Sequence, residues 1–108
     1  MASPVGMTVR EAGTDYETVA ASQTAQALGT AGAAGDYISH ITVIPATTSP
    51  GAIALLDNAT SITVFAGGAS SLATLHPFTV FVGAKSVSGA WKITTGANVS
   101  AIAVGSFT

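Results

Sequence analysis

The chain has 108 residues, room for one domain with a thin core. Only 7% of it is Asp, Glu, Lys or Arg, against about 25% in ordinary soluble domains. The net charge of −2, with no basic stripe, excludes an electrostatic nucleic-acid footprint, and a hydrophobic share of 48% argues against disorder.

The opening, MASPVGMTVREAG, has neither the cationic segment nor the apolar core of a secretory signal, so synthesis in the cytoplasm is expected. There is no cysteine, hence no disulfide framework. Up to Gly35 the chain is Ala, Thr, Ser, Gln and Gly with a few charges. The segment TDYETVAASQTAQALG has cap-like residues at Thr14, Asp15 and Gly29, but its apolar positions form no stripe at helical spacing. An extended arm with one short strand around Tyr16–Ala20 fits better. GTAGAAG, residues 29–35, reads as a flexible connector, because its glycines are not in the G-x-G-x-x-G spacing of a phosphate-binding loop.

Beyond Gly35 the pattern becomes strand-like. DYISHITVIP is a strand that stops at Pro45, and Pro50-Gly51 punctuates a turn. AIALL and SITVFA flank DNAT as a hairpin, with Asp57 and Asn58 able to take turn conformations. GGASS is a loop, and PFTVFV is a strand whose leading Pro77 donates no ladder hydrogen bond. AKSVSG is a short strand or bend, and AWKIT and VSAIAVG are expected to pair across TGAN. Short strands at this spacing predict an all-β fold: an antiparallel β-sandwich, jelly-roll-like, over residues 36–108, with residues 1–35 as an extended N-terminal arm and connector. From Asn58 to Ala84 no residue is charged, yet no unbroken apolar run approaches the ~20 residues of a membrane span.

Alternation along these strands is imperfect. Phe81 opposes Phe78, Val80 and Val82, and Phe65 opposes Ile62 and Val64. The last strand has Ile102 and Val104 on one face and only alanines on the other. Strands without charge on either face need cover on both, and the domain core supplies one side only.

No chemistry-bearing pattern accounts for the chain. His40 and His76 lack a short metal-ligand spacing, serines occur without a nucleophile motif, and Glu11, Asp15 and Glu17 lie in the expected arm. No catalytic residue, metal or cofactor is expected. Asn58 and Asn98 match glycosylation sequons but are read as turn residues. A lone strand Trp such as Trp91 suits a core or a subunit contact better than a ligand-stacking platform.

The phrases DYETVAASQTAQALGTAGAAGDYISHITVIPATTSPGAIALLD, ITVFAGGASSLATLHPF and SGAWKITTGANVSAIAVGSFT, which span about Thr14 to Thr108, resemble small tailed-bacteriophage virion structural proteins of the head-decoration or capsid-cement type. The resemblance implies a β-sandwich or jelly roll, a homotrimer on the capsid surface, and the major capsid protein as partner. It carries over no cofactor or catalytic residue; neither nucleic acid nor a membrane is expected as a partner, given the charge and the short apolar runs. A head-fibre or tail-fibre module that binds a host receptor or glycan would have similar composition. The residues expected at oligomer or capsid contacts are Trp91, Phe65, Phe81, Ile102, Val104 and Tyr16.

Overall fold

A computed structural model of the chain describes residues 15–108. All its regular structure is extended: β1 (Asp15–Val19), β2 (Gln26–Ala27), β3 (Tyr37–Pro45), β4 (Ile53–Asp57), β5 (Thr60–Phe65), β6 (Phe78–Lys85), β7 (Trp91–Thr95) and β8 (Val99–Ser106). β-branched residues dominate β3 and β5, where their stiff side chains suit a pleated surface.

The strands form two antiparallel four-stranded sheets packed as a β-sandwich: a front sheet in the order β1-β8-β3-β6 and a back sheet in the order β2-β7-β4-β5. Only the β4–β5 hairpin joins sheet neighbours directly; the other six connections pass between the sheets. The DNAT hairpin falls where the sequence puts it, with Asn58 at φ 56° in its turn.

Two expectations require correction. β7 and β8 do not pair: β7 lies in the back sheet and β8 in the front. Their connecting turn is held by the β3–β4 loop, through Gly51 N–H to Ala97 O at 2.8 Å and Gly96 N–H to Ala52 O at 2.8 Å, and it carries the chain across the sandwich. Asn98, at φ 61°, takes its place in that turn.

The second correction concerns residues 15–35, which belong to the sandwich. β1 extends the front sheet against β8, and Val19 and Leu28 are completely buried. The supposed connector is tied down by Thr30 and Ala31 N–H groups donating to Thr108 O, at 3.0 and 3.1 Å, and by Gly35 N–H to Ser86 O at 2.9 Å. Residues 1–14, the rest of the expected arm, lie outside the described residues.

The buried apolar residues are Val19, Leu28, Ile38, Ile41, Val43, Ile53, Leu55, Trp91, Ile93, Val99, Ala101, Ala103 and Phe107, drawn from facing sides of both sheets. Bulges account for the broken alternation. Ile53 opposes Phe65 while Ala54 opposes Thr63, so Val64 is an extra residue on β5, and both Val64 and Phe65 pack against the core. Between the rows Gly105–Ile38–Ala84 and Ala103–Ile41–Val80, β8 advances two residues, β3 three and β6 four. The front sheet therefore fans out toward β6, where Gly83 at φ 64° takes up the longest path.

Candidate functional site: an uncharged sheet face

The few acidic residues explain why the strand faces are bare. Each of the four described carboxylates accepts backbone N–H groups. Asp15 takes Phe107 N–H at 3.3 Å, and Glu17 takes Gly29 N–H at 2.7 Å together with Gln26 Nε2 at 2.9 Å. Asp57 holds Val87 and Ser88 N–H, both at 3.0 Å, and so fixes the β6–β7 loop. Asp36, 5% exposed, receives Ala33 N–H and Thr108 N–H at 3.1 Å and the Thr108 hydroxyl at 3.0 Å. These carboxylates act as loop anchors, because a charge-assisted bond to an orphan N–H is stronger than a neutral one. They do not cover strand faces.

The outward side of the front sheet is a broad, nearly uncharged face. Register places Tyr16, Val104, His40 and Phe81 side by side across all four strands, a row about 14 Å wide at ~4.8 Å per strand. The next row is Thr18, Ile102, Thr42 and Thr79, and beyond it lie Ser100 and Ile44. On the other side Ser106, Tyr37 and Lys85 complete the face, with Lys85 as its one charge among these positions.

The rows are organised by cross-strand contacts. His40 and Phe81 rings are tilted at 54° with centroids 5.8 Å apart, His40 Nδ1 lies 3.1 Å from Ser39 Oγ, and the Thr42 and Thr79 hydroxyls are 3.3 Å apart. Tyr16 is 72% exposed and Phe81 81%, so two rings stand up at opposite margins with smaller side chains between them. A shallow depression of about 480 Å³ between Thr18, Ile44 and Ile102 ends the face on one side. One of about 570 Å³ lined by Tyr37, Lys85 and Phe107 ends it on the other. Exposed rings with few rotamers, set among hydroxyls and β-branched side chains, are the components of a protein-binding surface.

Four of the six residues expected at contacts, Tyr16, Phe81, Ile102 and Val104, meet on this one face. The other two do not. Trp91 is 4% exposed and its indole N–H donates to Asp36 O at 2.8 Å, so it is a core residue and not a contact. Phe65 belongs to the opposite sheet, edge-on to Phe78 at 5.2 Å. His40, Thr42 and Ile44 are among the members that sequence reasoning missed; their alternation within SHITVI was the available signal. The two histidines lie apart, on β3 and in the loop before β6, and no cluster of three or more metal-ligating side chains exists among the described residues.

No family model, no curated protein and no solved structure matches this chain.

Proposed function

We propose that this protein is a bacteriophage head-decoration, or cement, protein: a non-catalytic homo-oligomer, trimeric as the resemblance implies, that binds the major capsid protein on the outer capsid surface and stabilises the head. It is made in the host cytoplasm and resides in the virion. The observation that carries the reading is the aromatic face of the front sheet, with Lys85 as its one charge, in a chain whose described carboxylates are all engaged in holding loops. Such a face gains most by being covered with protein.

Two further facts support it. We read the strand order β1-β8-β3-β6 over β2-β7-β4-β5 as a jelly roll, an architecture of viral capsid domains. The phrases quoted above resemble phage decoration proteins, and they take in every strand except most of β6 and the first residues of β5. A ligand that binds only the assembled shell stabilises it by mass action, which is the thermodynamic content of cementing.

The test compares particles of the encoding phage with and without this protein. Addition should raise the capsid melting temperature and DNA retention at a fixed stoichiometry. Equal melting and equal retention would overturn the proposal, and binding to host cells in place of capsids would establish the fibre module instead.

A further inference from the structure

The front-sheet face is not the only surface left bare. None of the fully buried apolar residues comes from β5 or β6, whereas every partly buried one packed against the core does: Val64, Phe65, Phe78, Val80, Val82 and Ala84. Ile62, opposite the buried Leu55 and so directed to the interior, is still 45% exposed. The two strands are margins of their sheets on the same side of the sandwich. Among the described residues β5 pairs only with β4, and β6 only with β3. The Phe65–Phe78 contact joins the sheets at one end of this side. Toward Ile62 and Val82 the core lies open.

The uncharged run explains what kind of surface this is. Residues 58–84 become β5, the following loop and β6 up to Ala84, so this side of the sandwich carries no charge until Lys85, the last residue of β6, whose register places it on the front face. Margin strands are ordinarily guarded by charged residues that deter pairing. On the β5–β6 side the only such residue is Lys85, at the end of β6; the rest of both strands is uncharged.

We infer that the β5–β6 side is the surface through which copies of this chain meet. The occupant is a second copy for two reasons. First, each copy brings the same uncharged side, so the contact strands no ion in a dry interface. Second, the size fits. At ~3.3 Å per residue β6 is about 26 Å long, and two sheets ~10 Å apart with their side chains are about 20 Å across. The resulting projection of roughly 500 Å² per copy gives about 1,000 Å² over two partners before corrugation by side chains is counted, the lower bound for a specific interface. A half-covered core is also what obligate homo-oligomers present, since their interfaces resemble a domain core cut in half. The front-sheet face then stays free for a different protein. This inference rests on the oligomeric part of the function proposed above and names the surface responsible.

The experiment uses the full chain in light scattering and sedimentation over a dilution series. Ile62→Lys should raise the dissociation constant by roughly 100-fold or more, the effect of burying an unpaired charge. Phe81→Lys, on the same side's β6 but directed to the front face, should leave the oligomer intact. A monomeric wild type would overturn the oligomer and this inference together. An oligomer broken by Phe81→Lys and not by Ile62→Lys would overturn the inference alone. If Ile62→Lys does not fold, hydrogen exchange of the wild type decides: amides of residues 58–84 should lose protection as dilution dissociates the oligomer, and unchanged protection would overturn the assignment. Protection lost at every concentration on deleting residues 1–13 would also overturn it, because the cover would then be the chain's own N-terminal segment.

Discussion

Leu28→Ala should destabilise the domain by about 3–4 kcal/mol, although the sequence places Leu28 just before a small-residue segment that reads as a connector. Leu28 is completely buried. Leu-to-Ala changes at such sites cost about 2.7–5.0 kcal/mol, the larger values where surrounding atoms cannot collapse into the cavity. Collapse is restricted here. The backbone at Leu28 is pinned by its N–H to Trp91 O at 2.9 Å, and a Cβ on the adjacent Gly29 would lie only 3.0 Å from Phe107 Cβ. A domain of this size has a total stability of about 5–15 kcal/mol. At about 4–8 °C per kcal/mol the melting temperature should fall by roughly 12–30 °C. Urea unfolding at fixed protein concentration measures the change, and an unaltered denaturant slope shows that the unfolded state is the same. A loss below about 1 kcal/mol, the range of ordinary surface changes, would refute the reasoning and return residues 15–35 to the status of an appendage.

Gly105→Ala should cost about 1–3 kcal/mol in the same assay, since a Cβ there runs into the carbonyl oxygen of Tyr37 across the β8–β3 ladder. Asp36→Ala should cost about 2–4 kcal/mol by leaving the Ala33 and Thr108 N–H groups without their acceptor, whereas Asp36→Asn, which can turn its amide oxygen toward them, should cost less than half as much. Tyr16→Ala combined with Phe81→Ala should change stability by no more than about 1 kcal/mol, as both rings are exposed, yet weaken capsid binding measured by co-sedimentation at least tenfold. Binding to particles should vary little with added salt, because the front face carries one charge, Lys85, and ion pairs there would be screened at a Debye length of about 8 Å; a steep salt dependence would show that other groups make the contact.

The sequence by itself determined most of the elements, though it missed β2 and ended β6 at Val82, three residues early. β-branched runs punctuated by Pro45, Asn58 and Pro77 specify extended strands and their ends, because these are local steric preferences of the backbone. It also showed that strand faces lack charge, and four of the residues it singled out share one face. Pairing was a different matter. TGAN has hairpin chemistry, but its backbone groups bond to the β3–β4 loop, and only the assembled sandwich supplies those partners. The small-residue segment from Ala20 to Gly35 carries little apolar signal of its own, so the placing of Leu28 depends on Trp91 and the anchoring of Thr30 and Ala31 on Thr108, some sixty and almost eighty residues further along. The last strand shows the limit most plainly. Hydrophobicity would turn Ile102 and Val104 inward, yet Ala101 and Ala103 face the core and the larger pair faces out. β8 is an inner strand of its sheet and packs toward β7, whose Trp91 and Ile93 already fill the interior. A close-packed core has room there for a methyl group and no more, and that volume is set by the opposite sheet.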